Sequence, residues 1–438
     1  MIDIKFTPEK NGILVDEGNT FDVLFRASST ENDSTKKTQR LPLNLSIVID
    51  RSSSMQGQPL DEAKKCASML VDRMGEKDRL SIVMYGADAE VLVPSQPVTD
   101  KRKFKSQIDA IYASGMTALY DGWSLGAEEV AKNSHSNSIS RVLLLSDGQA
   151  NRGLVDEDVI SAHCQKMAEI GVSTSTYGLS EYFNENLMVG MASAGQGQAH
   201  YGQTAEDLLD PFQEEFDLLE AILSRRMRLR ILPEKGVSFE ILNGYSQDGE
   251  GRFILPDLAF GADVWALIQI KINSKICSQQ PETKLKILSA YIDYLDHDGV
   301  DQRSETAKLI IDLCTREQFA CLELDETVKS RVTEVRAATL QEVAQVAARS
   351  ENWAKVDQTM LALAELGEEN EWIKASVQRL KAYSTRRQRE SFSKETLYKS
   401  RKMKQRSVAK NEEIFSSRSE SGRPSYLRRK MEQGKREL

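Results

Sequence analysis

The sequence has few of the residues on which many metal and redox sites depend. Among its 438 residues are only five cysteines and four histidines. The cysteines are scattered and odd in number, without the paired spacing of zinc sites, so free thiols in a reducing compartment such as the cytoplasm are the simplest interpretation. So few histidines disfavour a histidine-rich transition-metal site. These residues are Cys66, Cys164, Cys277, Cys314 and Cys321, and His135, His163, His200 and His297.

Long hydrophobic runs are also missing. No apolar run approaches the ~18 residues that a membrane-spanning helix needs, so we do not expect an integral membrane protein. The N-terminal segment MIDIKFTPEK has no basic stretch followed by an apolar one, which disfavours a cleaved secretory signal. With 40% hydrophobic and 28% charged residues, the composition is that of an ordinary globular protein, and its length predicts two to three domains.

The charge is distributed unevenly along the chain. The formal net charge is -8, but residues 381–438 carry 18 Lys and Arg against 7 Asp and Glu, so the part before them is strongly acidic. An acidic body disfavours nucleic-acid binding by the globular part. The basic, polar segment 384–438 is predicted to be a flexible tail, which could bind phosphates, including those of nucleic acid, an acidic membrane surface or an acidic protein. A solvated tail that promotes solubility is the simpler interpretation.

The region 41–223 alternates between apolar runs and segments with helical spacing. Leu43–Ile49 and Arg141–Ser146 are continuous apolar runs, which are typical of strands buried on both faces of a parallel sheet. Residues 59–74 and 119–132 place apolar side chains at helical intervals. Strands that alternate with helices of this length indicate a doubly wound α/β domain with a mostly parallel sheet.

The pattern changes after this region. Successive strands with Asn-Gly and Asp-Gly turns between them predict an antiparallel β-sandwich unit over 224–303. The strands predicted within 1–40 have no partner in an α/β sheet, so we expect them to pair with that unit. The α/β domain would then be inserted in, or followed by, the β-sandwich. Helical spacing predicts a helical bundle over 304–383, and its first helix is expected at 305–323.

Short oxygen-bearing side chains follow the first buried strand. Asp50, Ser52 and Ser54 occupy alternate positions directly after it, at the edge where open α/β sheets bind ligands. Thr117 precedes a predicted helix and Asp147 ends another strand, so both are expected in loops at the same edge. These hard oxygen donors suit Mg²⁺, with Mn²⁺ and Ca²⁺ also compatible, better than they suit zinc. Taken singly, the same residues would act as helix caps or turn formers.

Taken in order, the five residues resemble the metal-ion-dependent adhesion site of von Willebrand factor type A domains. The phrases IVIDRSSSM, GMTALYDG and LLLSDGQAN carry the resemblance, which covers about residues 41–221 and extends to multidomain bacterial members. Ser53 stands where glycine is frequent in that family. The resemblance implies a bound Mg²⁺ that keeps one coordination position open for an Asp or Glu of a protein partner.

Two functions of different classes follow from this site. The first is a non-enzymatic, metal-dependent adaptor or scaffold, and the alternative is a metal-assisted hydrolase that uses the same cation to activate water. The hydrolase lacks an evident general base, because no histidine is predicted at that edge of the sheet. Arg51 could contact an acidic ligand, although a solvated arginine is the simpler interpretation. The sequence leaves open the identity of the partner and whether the chain forms a homo-oligomer.

Overall fold

A computed structural model of the chain describes most of its residues, and they form two compact units. One unit consists chiefly of the region from residue 40 to Ala221, and the other combines the preceding residues with those from Ile222 onward. The described residues are 1–29, 40–147, 149–179, 184–202, 208–260, 262–274, 283–368, 370–405 and 408–409. Cys277 lies outside them.

Three strands precede the α/β unit. They are β1 (Ile2–Pro8), β2 (Gly12–Leu14) and β3 (Asn19–Ser29). The whole of β1 pairs antiparallel with residues 23–29 of β3.

The α/β unit alternates strands with helices, as the sequence pattern predicts. Its strands are β4 (Leu43–Asp50), β5 (Arg79–Tyr85), β6 (Ala89–Pro97), β7 (Ile139–Ser146), β8 (Val172–Leu179) and β9 (Gln196–Gly202). Its helices are α1 (Gln58–Arg73), α2 (Lys101–Asp109), α3 (Leu119–Ala131), α4 (Glu157–Glu169), α5 (Glu185–Ala194) and α6 (Leu209–Glu220). One turn of 3-10 helix (Ser53–Met55) lies between β4 and α1.

The sheet of this unit has the strand order β6-β5-β4-β7-β8-β9. All its pairings are parallel except that of β6, which runs antiparallel to β5 at the edge. Every residue of β4 and β7 is buried, because helices cover both faces, and this explains their continuous apolar runs. The chain leaves β4 in one direction and returns to β7 on the other side. The carboxyl ends of β4 and β7 therefore meet at the reversal point, where open sheets bind ligands. The predicted fold class is confirmed.

The chain returns to the second unit at Ile222, after the α/β unit. Its further strands are β10 (Ile222–Pro233), β11 (Val237–Ile241), β12 (Phe253–Ile254), β13 (Leu258–Ala259), β14 (Ala262–Ile272), β15 (Lys284–Leu295), β16 (Asp301–Arg303), β17 (Ala307–Cys314) and β18 (Val408–Ala409). Its helices are α7 (Arg316–Ala320), α8 (Glu326–Arg349), α9 (Trp353–Leu366), α10 (Glu371–Thr385) and α11 (Arg389–Gln405). None of the described helices is both long enough and apolar enough to cross a bilayer.

Strands from the two ends of the chain share the sheets of this unit. β3 pairs with β14, and β2 pairs in parallel with β17, so the α/β unit is inserted between the two parts. Side chains from both sheets contribute to one hydrophobic core, among them Phe25, Met227, Ile268 and Ile292. The first half of α8 packs its valines against Trp265 on the other face of the β3–β14 sheet.

Two predictions about the C-terminal region are wrong. Residues 305–323 were expected to be helical, but 307–314 form β17, because Leu309 and Ile311 alternate with more exposed residues and the segment pairs with β15. The flexible tail was expected from 384, but α11 continues the helical bundle. Although this helix is rich in Lys and Ser, its Phe392 and Met403 are fully buried in the helical core. The rest of the tail, from 410, lies outside the described residues.

Candidate metal centre

Asp50 forms the base of the candidate site. It is the last residue of β4 and is fully buried. One carboxylate oxygen, Oδ1, accepts a hydrogen bond from the backbone N–H of Ser52 at 2.8 Å. The other, Oδ2, accepts hydrogen bonds from the hydroxyls of Ser146 at 2.7 Å and Tyr85 at 3.2 Å, which lie at the ends of β7 and β5. The carboxylate is therefore held in place by the two strands that flank β4.

The two serines of the loop after β4 lie beside this carboxylate. Their hydroxyl oxygens, Ser52 Oγ and Ser54 Oγ, are 3.1 Å apart. Ser52 is buried and Ser54 is exposed, so this pair leads from the base of the site to the surface. The intervening Ser53 donates both its N–H and its hydroxyl to the carbonyl of Gly115, at 3.1 Å each. The serine that replaces the frequent glycine thus adds a link to the neighbouring loop.

The loop 113–118 brings Thr117 to the same edge of the sheet. Thr117 is 2% exposed, its N–H donates to Asn151 Oδ1 at 2.9 Å, and its carbonyl accepts from the Asn151 N–H at 3.2 Å. Gly115 permits the turn, because its φ is +84° and a Cβ there would lie 3.2 Å from the backbone N of Ala87. The backbone N–H of Ser114 also donates to the carbonyl of Arg51 at 2.6 Å. The loop is thus tied to both of the chain segments that carry acidic site residues.

Asp147 directly follows β7 and is 2% exposed. Burial and, to a lesser extent, the nearby charge of Asp147 raise the pKa of Asp50 to about 6, against the hydrogen bonds from Ser146 and Ser52, which lower it. Burial also raises the pKa of Tyr85 well above its usual value, so this hydroxyl stays protonated and donates to Asp50. The site therefore concentrates negative charge in a position poorly reached by water.

These features fit a hard divalent cation. Two buried carboxylates that repel each other would be neutralised by a 2+ charge, and the hydroxyls of Ser52, Ser54 and Thr117 are oxygen donors of the type that Mg²⁺ binds. Among the described residues, no three Asp, Glu, His or Cys side chains come together as a metal site. The candidate site is therefore not a cluster of charged ligands, because three of its five oxygen donors are hydroxyls.

Sequence reasoning identified the five candidate ligands but missed the residues that hold them. Tyr85 and Ser146 orient Asp50, and Asn151 orients Thr117. Tyr85 and Ser146 are the last residues of the two strands that flank β4, so their positions in the sequence could have predicted that they lie near Asp50. Asn151 had no such signal, since it lies in a loop whose path depends on tertiary contacts.

The histidines lie away from the candidate ligands in the contacts that the described residues make. His163 Nδ1 is 2.9 Å from the Tyr120 hydroxyl, and His200 Nε2 is 3.0 Å from a carboxylate oxygen of Glu215. Neither contacts Ser52 or Ser54, so neither is placed to activate a serine nucleophile.

The region that carries the candidate site is similar to a known family. The family model of the von Willebrand factor type A domain matches residues 44–215. An uncharacterised protein of Synechocystis sp. is 30% identical over 202 residues, which is 45% of this chain and 46% of that protein. The chain thus spans less than half of the length of this relative.

Two solved structures resemble almost the whole chain. The ArnB paralog VWA2 from Sulfolobus acidocaldarius has a TM-score of 0.62 at 17% identity, covering 92% of this chain and 98% of the other. The von Willebrand factor type A protein from Catenulispora acidiphila has a TM-score of 0.67 at 14% identity, covering 86% and 88%. At such identities the likeness shows the fold alone.

Proposed function

We propose that this chain, in which residues 44–215 form a von Willebrand factor type A domain, is a metal-dependent adaptor or scaffold protein. In this proposal Asp50, Ser52, Ser54, Thr117 and Asp147 hold Mg²⁺, and a partner protein supplies an Asp or Glu carboxylate to it. Such domains often mediate protein–protein interaction, which makes this the function that the fold favours.

One observation carries the proposal. A fully buried carboxylate, Asp50, lies at the reversal point of the sheet with its orientation set by three donors, while the Ser54 hydroxyl beside it is exposed. A cation bound there would supply an electrophilic position that faces solvent and accepts an incoming carboxylate. The chain's own residues orient Asp50, keep Tyr85 protonated and position the loop of Thr117. In this proposal these residues bind the cation and present it to the partner's carboxylate, and no bond is cleaved.

The alternative, a metal-assisted hydrolase, needs a general base near the cation. The described contacts of Asp50 are to hydroxyls and a backbone N–H, and those of His163 and His200 are to Tyr120 and Glu215. These contacts favour the binding function. Turnover of generic phosphatase, esterase or peptidase substrates that depends on Mg²⁺ would instead favour the hydrolase.

The remaining parts of the proposal concern the cellular location of the protein and the roles of the regions outside the metal-binding domain. The described cysteines are all free thiols, which is consistent with our proposal of a reducing compartment such as the cytoplasm. We interpret the two-sheet unit as a β-sandwich, because both of its sheets contribute to one hydrophobic core. The acidic body disfavours nucleic acid as a partner, whereas the basic segment after 410 and self-association remain further routes of assembly.

Calorimetric titration of the chelator-treated full chain with Mg²⁺ tests the metal site. We expect Asp147→Asn to weaken Mg²⁺ binding by at least the roughly 10–100-fold that loss of an outer-shell partner costs. Asp72→Asn is the matched control, because Asp72 is a 58% exposed carboxylate near the last turn of α1 that pairs with Lys105. It should leave Mg²⁺ affinity unchanged. Equal affinities for the two variants, or no binding of Mg²⁺ or Mn²⁺ by the unaltered chain, would contradict the proposal.

A further inference from the structure

Arg51 lies between two of the candidate ligands and is only partly exposed. Its guanidinium donates through Nη1 to the Ser114 hydroxyl and stands 5.6 Å from the centre of the Tyr112 ring. Its Nε atom is buried and has no hydrogen-bond partner among the described residues. The side chain is thus held at the rim of the candidate metal centre with part of its donor capacity unused.

The lack of a counter-charge distinguishes this arginine from Arg40 and Arg152 of the same unit. Arg40 pairs with the buried carboxylate of Asp78 at 2.6 Å, and Arg152, also next to the site, pairs with Asp88 at 3.0 Å. No ion pair joins Arg51 to an Asp or Glu among the described residues. A partly buried cation without a carboxylate is stabilised by an anion that approaches from outside, and the planar guanidinium matches a carboxylate well.

Exposed apolar side chains lie in the loop that Arg51 contacts through Ser114. Tyr112 is 70% exposed and Met116 is 48% exposed, and both belong to the segment that leads to Thr117. The ring of Tyr112 faces Arg51, so it helps to fix the direction of the guanidinium. The rim therefore offers one positive group and two apolar ones next to the position for the metal-bound carboxylate.

We propose that the rim formed by Arg51, Tyr112 and Met116 selects partner segments that carry a second carboxylate beside the one offered to the metal. The second carboxylate pairs with Arg51, and a neighbouring apolar side chain of the partner packs on Tyr112 and Met116. This inference rests on the proposed function, and it names the partner's chemistry: an acidic peptide segment with two acidic residues close together and an apolar residue next to them.

Short synthetic peptides on a Gly-Ser background provide the probe. One set contains a single Asp, a second set adds a Glu at neighbouring positions, and a third adds a Leu to the second set. Binding of the full chain is measured with Mg²⁺ and with a chelator. We expect the two-acid peptides to bind about tenfold more tightly than the one-acid peptides in Mg²⁺, since a hydrogen bond to a charged group corresponds to roughly that factor.

Two substitutions assign this preference to a residue. In Arg51→Gln the ratio between two-acid and one-acid affinities should fall to about one. In Arg51→Lys the ratio should lie between one and the value of the unaltered chain, because Lys keeps the positive charge but cannot donate two parallel hydrogen bonds to a carboxylate. Arg152→Gln removes the same charge close by, but from an arginine that already has a carboxylate partner. It should keep the full ratio, which excludes a general effect of net charge.

The outcomes separate this inference from the proposed function. Binding of one-acid and two-acid peptides with equal affinity, while both depend on Mg²⁺, would overturn the role of Arg51 and leave the proposed function standing. Failure of every peptide to bind in Mg²⁺ would count against the proposed function itself. Persistence of the tenfold ratio in Arg51→Gln, or its loss in Arg152→Gln, would overturn the assignment to Arg51.

Discussion

Replacement of Glu215 by Gln tests whether a buried ion pair anchors α6 to the α/β sheet. Glu215 lies on α6 with its side chain 1% exposed, and it accepts a hydrogen bond from Arg141 Nη1 at 2.7 Å. The same carboxylate also accepts hydrogen bonds from the hydroxyls of Ser175 and Tyr177, and it lies 3.0 Å from His200 Nε2. Glutamine would keep the shape and lose the charge, which leaves Arg141, 4% exposed, as a buried cation without its partner.

The pKa of Glu215 and the typical cost of breaking a buried ion pair give a similar loss of unfolding free energy. Burial by itself raises the pKa of Glu215, but the hydrogen bond from His200 and the charge of Arg141 lower it more, to about 2 from its ordinary value of 4.5. A difference of that size stabilises the fold by about 3 kcal/mol at neutral pH. Loss of one member of a buried ion pair typically costs about 3–5 kcal/mol. We therefore expect Glu215→Gln to lower the unfolding free energy of the α/β unit by about 3–5 kcal/mol.

Native-state hydrogen exchange of the amides of β7 and β8 is the suitable assay, because it reports the α/β unit separately from the other unit. The folded pKa is depressed, so this stabilisation is present above the unfolded pKa of 4.5 and is lost as pH falls through about 2. The difference in unfolding free energy between the unaltered chain and Glu215→Gln should therefore shrink as the pH falls from 4.5 to about 2. Glu169→Gln, at an exposed glutamate of α4, is the control, with an expected effect within about 0.5 kcal/mol. A loss below about 1 kcal/mol for Glu215→Gln, or an advantage independent of pH, would refute the reasoning.

Two further predictions concern packing. In Gly122→Ala the new Cβ would lie 2.3 Å from the Tyr85 ring and 2.8 Å from its Cβ, so we expect a net loss of at least about 1 kcal/mol in thermal or urea unfolding, despite about 1 kcal/mol of gained helix propensity. Gly249→Ala, with open space around its Cβ, should be neutral, and a stabilised Gly122→Ala would contradict the contact. Phe392→Ala should cost about 3–5 kcal/mol and expose α11 to limited proteolysis, because Phe392 is fully buried. Leu361→Ala, at a 69% exposed site, is its control, and equal proteolysis of the two variants would show that α11 is not docked.

Local pattern was sufficient for the centre of the α/β unit. The runs that became β4 and β7 are apolar throughout because both faces of these strands are covered, and a run of this kind needs no knowledge of its neighbours to be recognised. Parallel strands bring their carboxyl ends to one edge, so the order of the oxygen-bearing residues along the chain already predicted that Asp50 and Asp147 would approach each other. Their electrostatic coupling in the structure agrees with that placement.

Pairing between distant segments was decisive where local pattern misled. Residues 307–314 have enough apolar residues for a helix, but the hydrogen bonds of β15 select an extended conformation there. The edge strand β6 was not predicted, since most of its residues are only partly buried and its apolar signal is weak. The helix α11 has few apolar residues, and its docking depends on the apolar side chains that α8, α9 and α10 bring together around Phe392 in the assembled bundle.

The sequence by itself determined which residue types reach the reversal point of the sheet, because strand ends and loop order are consequences of local hydrophobic pattern and chain connectivity. Only the tertiary structure decided how those residues are held and what surrounds them. The hydroxyls that donate to Asp50 come from two other strands, and Arg51 contacts Ser114 and Tyr112 but forms no ion pair with a carboxylate among the described residues. Such contacts join residues far apart in sequence, and their energies depend on burial and distance, which no local window contains.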